Sequence, residues 1–275
     1  MRLLRTLSFL VLVTPIASFA SPISLGAIAT DNVAIFGVGG VFFNNDGTAH
    51  MNVTGDIVGA SISGTLPHFV SGSAVSGTGT AEYIAVHTAF NSVLTQLGAL
   101  TFTPITVTSG TVGTPHVTTL STPGDYSFNG TLSNAVIDLT GAGPYYFDLT
   151  TAFNWTNVTI NAQNGSLTSD SVIWYAPTAT GVVNIVNSNV FGDVVQQNTG
   201  NNNIQSTNTN GTESFTGRVL SNAGGFTEFS LTHNSTENLI DAGLGASLAP
   251  EPSTFAFLTL GLGVGFVALR RRKQC

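Results

Sequence analysis

The sequence predicts a mainly β chain with one long helix beside it, and three observations carry that expectation. β-branched and aromatic runs recur about every 8–15 residues, and Gly, Asn, Asp or Pro closes each one. A single segment has helical periodicity instead. Charged residues make up only 8% of the chain, so the surface of any folded body must be built mostly from hydroxyl and amide groups. Strands at this spacing suit a sandwich, a barrel or a solenoid.

In chain order, the first element is a leader. Arg2 and Arg5 precede an apolar run over 7–16, and Ser18-Phe19-Ala20 offers small residues where a signal peptidase reads. This pattern predicts a secretory signal peptide over 1–20, cut after Ala20. The body then occupies 21–239. Its expected strands are 33–36, 41–43, 105–107, 136–139, 145–149, 158–160, 172–175, 182–186, 194–195, 218–220 and 226–231. Between the second and third of these, Tyr83, Val86, Phe90, Val93, Leu94 and Leu97 recur at three- and four-residue steps, and Ile84 widens the stripe. The spacing predicts a helix over 81–97, capped by Thr80 before it and Gly98 after it. His87 and Asn91 fall on its polar side. Such a helix must lie along a sheet to bury its stripe. The polar stretch 198–211 reads as a long loop, and 240–249 as a linker.

The tail, 250–275, has three parts in fixed order. Pro250-Glu251-Pro252 comes first, then an uncharged stretch over 255–269, then Arg270, Arg271, Arg272 and Lys273. With Ser253 and Thr254 the apolar part is about 17 residues, near the lower limit for a spanning helix. At ~1.5 Å per residue it reaches ~25 Å, short of a ~30 Å hydrocarbon core. Gly261, Gly263 and Gly265 weaken it further. The four cations should remain cytoplasmic, which turns the body outward. This order of parts resembles the PEP-CTERM sorting signal of Gram-negative bacteria. The resemblance implies recognition by an exosortase, an integral-membrane cysteine transpeptidase-like enzyme, and cleavage near Pro250, Glu251 and Pro252. The chain would then be transiently held in the inner membrane and serve as substrate. A plain anchor that is never cut is the alternative.

Charge narrows the function of the body. Of seven Lys and Arg, Arg2 and Arg5 lie in the leader and four lie in the tail, leaving Arg218 alone. Thirteen of the fourteen acids lie between leader and tail with it, so body and linker together, 21–249, carry about −12 and have no lysine. Nucleic acid is therefore not an expected partner, since phosphate binding needs cations. Lysine-dependent isopeptide cross-links are excluded as well. The one cysteine, Cys275, lies beyond the basic stop, so disulfides contribute nothing to the body.

Several body motifs resemble secreted ice-binding-like domains. These are Thr54-Gly55-Asp56-Ile57, the helix at 81–97, Thr122-Pro123-Gly124-Asp125-Tyr126-Ser127-Phe128, Ser171-Val172-Ile173-Trp174 and Gly217-Arg218-Val219-Leu220. The resemblance covers roughly 25–239. It implies a right-handed β-helix (solenoid) with one long α-helix packed alongside; a β-sandwich is the alternative. The stretch 198–211 is an addition to the family's pattern, and related bacterial choice-of-anchor surface domains share parts of the layout.

No catalytic constellation stands out. His50, His68, His87, His116 and His233 are scattered, with no metal-ligand spacing, so neither a metal nor a cofactor is expected. Asp46, Asp56, Asp125, Asp138, Asp148, Asp170 and Asp193 could pair across strands as acid and base, but Asp after Gly is more simply a turn former. Thr101-Phe102-Thr103, Thr106-Val107-Thr108 and Thr207-Asn208-Thr209 put paired threonines on one strand face, as an ice-binding array requires, yet without a constant period. The expected function is an exported cell-surface or extracellular-matrix protein with a non-enzymatic, structural or adhesive body, associated with exopolysaccharide. Ice binding and β-helix polysaccharide cleavage are the alternatives.

Overall fold

The computed structural model describes residues 22–45, 50–151, 153–177, 183–197, 202–206, 212–224, 227–231 and 236–240. The leader with Ala20 and the tail with Pro250, Glu251, Pro252, Arg270, Arg271, Arg272 and Lys273 lie outside the described residues, as does Asp46. Among the described residues no helix is long and apolar enough to cross a membrane.

A short helix α1 (Ala27–Thr30) comes first. Seven strands follow: β1 (Val33–Gly37), β2 (Val41–Asn45), β3 (His50–Thr54), β4 (Asp56–Gly59), β5 (Ile62–Gly64), β6 (His68–Ser71) and β7 (Ala74–Ser76). The long helix α2 (Ala81–Gly98) interrupts them. Then come β8 (Thr103–Pro104), β9 (His116–Leu120), β10 (Gly124–Phe128), β11 (Thr131–Leu139), β12 (Tyr145–Leu149), β13 (Asn154–Ala162), β14 (Val172–Ala176) and β15 (Val183–Val186). The last are β16 (Val190–Phe191), β17 (Asp193–Gln196), β18 (Asn202–Ser206), β19 (Thr212–Thr216), β20 (Val219–Ser221), β21 (Thr227–Leu231) and β22 (Thr236–Ile240).

These strands form three sheets. Sheet A runs β7-β4-β1-β20-β17-β14-β12-β10-β8, sheet B runs β5-β2-β21-β18-β15-β13-β11-β9, and sheet C runs β16-β19-β22-β3-β6. Every named pairing is parallel, which is not the pattern of a sandwich built from hairpins. From β1 to β7 and from β14 to β22 the chain visits A, B and C in turn, from β8 to β14 it alternates between A and B, and successive circuits stack. The order is not sequential, however. β1, β2 and β3 sit directly on β20, β21 and β22, so the first circuit closes onto the last. The chain then reaches one end of the stack at β7 and must return to the other end at β8.

Helix α2 makes that return. Its eighteen residues extend ~27 Å at ~1.5 Å each. Thr80 caps it by accepting from the Tyr83 amide at 3.2 Å, as its sequence predicts. Tyr83, Val86, Phe90, Val93 and Leu97 are buried against Phe36, Val58, Tyr146, Ile173, Val195 and Leu220 on the outer side of sheet A. Two details of the helix differ from expectation. Ile84 is 54% exposed and adds nothing to the stripe. His87 packs its ring against Phe36 and Tyr83 rather than facing water alone.

The interior of the stack is a separate core. Phe147 stacks on Trp174 with ring centroids 4.2 Å apart, and Trp155 meets Trp174 edge-on at 5.0 Å. Phe153, Phe43, Phe215 and Phe229 extend this core through the other circuits.

Three strand expectations are corrected. Segment 105–107 is not a strand; β8 is confined to Thr103–Pro104, although Ile105 still donates its amide to the Ser127 carbonyl at 2.8 Å. The polar stretch 198–211 contains β18, paired on both sides by β15 and β21. Partners on both edges supply what its low β propensity lacks. β22 reaches Ile240, the first residue of the expected linker.

Corners are built by residues that tolerate left-handed backbone. Gly217 has φ 144°, and a Cβ there would lie 2.2 Å from the Gly192 carbonyl oxygen. Gly217→Ala should therefore destabilise the fold by about 3 kcal/mol or more. Gly165→Ala, whose Cβ would meet open space, is the matched control in urea denaturation.

Candidate functional site

Two kinds of side chain are singled out by their chemistry: the carboxylates, and the polar rows on the outside of sheets B and C. Most of the carboxylates brace corners. Asp56 follows Gly55, and its Oδ1 accepts from the Ser73 amide at 2.6 Å and the Ser73 hydroxyl at 3.1 Å. Asp193 follows Gly192 and repeats the device, accepting from the Arg218 amide at 2.8 Å. Each Asp thus ties its own corner to the next circuit. Asp138 accepts from Asn161 Nδ2 at 2.9 Å.

Arg218, the body's lone cation, is fully buried. Its guanidinium is ion-paired with Asp170 and lies 3.4 Å from Asp193. It therefore holds three circuits in register and is not presented to a substrate. Sequence reasoning isolated Arg218 by charge count but could not place it between two carboxylates 48 and 25 residues away.

Asp125 and Asp148 are the pair closest to an acid–base arrangement. They lie on neighbouring strands of sheet A, where Asp125 is opposite Tyr146 and Asp148 is opposite Ser127. Burial pushes both carboxyls up from the ordinary range. General acid–base work on a glycoside needs the two pKa values pushed apart, whereas these move the same way for the same reason. Tyr146 beside them is pushed up to about 12 by burial, despite its hydrogen bond from the Ile23 amide.

The histidines stay apart. His68 Nδ1 lies 3.2 Å from Asn52 Oδ1, His87 packs on Phe36, and His116 begins β9. No cluster of three metal-ligating side chains occurs among the described residues. His233 and Thr207-Asn208-Thr209 fall outside them.

The outer faces of sheets B and C are regular in a way the sequence did not reveal. Register aligns Ser63, Phe42, Glu228, Asn203, Asn184, Asn154 and Thr131 in one row across sheet B. Asn184 Nδ2 donates along it to Asn154 Oδ1 at 3.0 Å, and Asn44, two residues beyond Phe42, donates Nδ2 diagonally to Glu228 Oε1 at 3.3 Å. At the B–C corner Asn134, Asn157 and Asn187 all take positive φ, 47°, 53° and 48°. Asn157 Nδ2 donates to Asn134 Oδ1 at 3.1 Å. On sheet C, Asn189 Oδ1 accepts from both the amide and hydroxyl of Ser214, at 3.0 and 3.1 Å. Polar side chains thus bond between neighbouring strands ~4.8 Å apart, with Phe42 interrupting the sheet B row. Thr101, Thr103, Thr106 and Thr108 do not join these rows; they are exposed around the short β8. The signal for the rows was Asn following a hydrophobic run at irregular intervals, which only register converts into a column.

A family model for the PEP-CTERM protein-sorting motif matches residues 248–273. The chain carries a PEP-CTERM sorting signal. That motif marks an exported protein that is processed at its C-terminus, and it covers the Pro250-Glu251-Pro252 tripeptide and the basic stop. No curated protein sequence matches the chain. Solved structures that share the fold of the body include three ice-binding proteins. An ice binding protein from an Antarctic biological consortium is 17% identical, with TM-score 0.56, covering 83% of this chain and 95% of that one. The ice-binding protein of the Antarctic ascomycete Antarctomyces psychrotrophicus is 16% identical, TM-score 0.55, covering 80% and 98%. The antifreeze ice-binding protein of an Arctic yeast is 16% identical, TM-score 0.54, covering 79% and 94%. At these identities the PEP-CTERM chain shares their fold, and the order of body motifs in its sequence pointed to that fold.

Proposed function

We propose that this PEP-CTERM chain is an exported cell-surface or extracellular-matrix protein of a Gram-negative bacterium, with a right-handed β-solenoid body that is structural or adhesive and not enzymatic. The signal peptide is removed after Ala20. The tail holds the body at the outer face of the inner membrane, and an exosortase cuts near Pro250–Pro252. The observation that carries the reading is the asymmetry of the three faces. Sheet A is covered by α2, while B and C present amide and hydroxyl rows with few charges, suited to a neutral hydrated polymer such as exopolysaccharide. Asp56, Asp170 and Asp193 are engaged in bracing the fold, and burial moves the remaining neighbouring pair, Asp125 and Asp148, in the same direction, which does not favour an acid–base pair.

Mass spectrometry of protein released from the producing cells tests this. The expected mature form begins near Ser21 and ends near Pro252. Released protein that retains Arg270, Arg271, Arg272 and Lys273 contradicts the processing step.

A second reading, ice binding, is favoured by the shared fold with three ice-binding proteins. It requires the outer rows of sheet B to order water. Ice-recrystallisation assays decide it: inhibition that is lost in Thr156→Tyr, a substitution on the outer face of β13, supports it, and no inhibition at high protein concentration removes it.

A further inference from the structure

The two ends of the stack are unfinished in the same way. Among the described residues, β5, β6 and β7 at one end have a strand neighbour on one side only, and so do β8 and β9 at the other. Open edges of this kind are templates for pairing, and proteins usually blunt them with charge, proline or a covering segment. Here charge is missing. No Asp, Glu, Lys or Arg occurs in 57–81 or in 83–124, the stretches that contain both end circuits. All charged residues of the body thus fall outside these two stretches in the sequence.

Apolar exposure follows the same division. Of the large hydrophobic side chains exposed among the described residues, Leu66 and Val70 lie at the β6 end, at 52% and 62%. Val112 and Val117 lie at the β9 end, at 86% and 54%. Only Ile84, on α2, lies elsewhere.

Direction makes the two ends compatible. β9 pairs with the second half of β11, and β13 continues that ladder to β16 through the Thr159–Asn189 bridge. β9 is therefore the far edge of the surface whose other edge is β6. All strands along it are parallel, so a second copy moved along the stack axis would set its β9 beside β6 with the ladder's polarity kept. Pro104 withholds a donor from the edge of sheet A, which leaves β6 and β9 to carry the pairing.

We propose that copies of this chain assemble head to tail, with β6 of one copy pairing in parallel with β9 of the next and Val70 and Val117 covered at the junction. Such a contact is heterologous and does not close on itself, so it propagates as a filament. The inference rests on the ends of the body and does not depend on how the tail is processed.

The test uses the full chain with Cys275→Ser, purified in detergent. Sedimentation mass should rise with protein concentration, and Val117→Asp should return it to one copy. Both sites are exposed, so the fold should survive, and circular dichroism checks that it does. The ladder's register sets Val117 opposite His68, so with His68→Cys and Val117→Cys together oxidation should yield a ladder of multimers, whereas either substitution alone should yield none. Three results overturn the proposal: one copy at every concentration, assembly unaffected by Val117→Asp, or dimers from a single cysteine. Assembly driven by the tail gives the second result, and a segment of the same chain covering either end gives the first.

Discussion

Replacing Arg218 with methionine should destabilise the fold by about 3–5 kcal/mol, the usual cost of leaving a buried charge without its partner. The reason lies in Asp193, whose side chain is 0% exposed. Its Oδ1 keeps the Arg218 backbone amide, but its charge loses the only cation of the body. Asp170, 23% exposed, can turn to water and loses less. Arg218→Lys should recover only part of the loss, because one ammonium cannot serve two carboxylates approaching a planar fork from different circuits. Combining Arg218→Met with Asp193→Asn should be less damaging than Arg218→Met alone, since the stranded charge is gone. Urea denaturation of the four proteins measures this. A double variant as unstable as the sum of its parts would show that the ion pair is not the cause.

Trp174→Ala should cost a similar amount, about 3–5 kcal/mol, by emptying the centre of the stack. Trp174 is fully buried. Phe147 stacks on its face, Trp155 meets it edge-on, and Nε1 donates to the Phe191 carbonyl at 2.9 Å. Trp174→Phe keeps most of the packing but leaves that carbonyl unpaired, so it should fall between wild type and alanine. The chain has two tryptophans, so the remaining Trp155 reports unfolding by its emission. A loss under 1 kcal/mol for the alanine variant would mean that the interior collapses around the gap.

Much of the fold was legible in the sequence where local signals are strong. Helix α2 announced itself by its stripe and by Thr80. Strand β12 was expected at the residues it occupies, because Tyr145, Tyr146, Phe147 and Leu149 are all strand formers. The strands that went unread, β3 to β7 and β18 among them, are short and rich in Gly, Ser, Thr or Asn. Their pairing comes from neighbouring strands, on both sides for β3, β4 and β18 and on one side for β5, β6 and β7, and not from intrinsic preference. The outer rows were illegible for a related reason. Asn154 and Asn184 are 30 residues apart, and nothing at either position reveals that they share a hydrogen bond.

By itself the sequence determined that the protein is exported and carries a C-terminal sorting signal, because such a tail is read as a linear order of motif, apolar span and cations. It also determined that the body is nearly free of cations, because charge is a sum that folding does not change. The tertiary structure alone decided what the remaining charges and amides do. It buried Arg218 between two carboxylates, turned Asp-after-Gly into a brace between circuits, and, among the described residues, left the terminal strands of the stack with a strand neighbour on one side only. Those outcomes depend on the first circuit closing onto the last, a contact between residues nearly 200 positions apart, and no local signal in the chain encodes it.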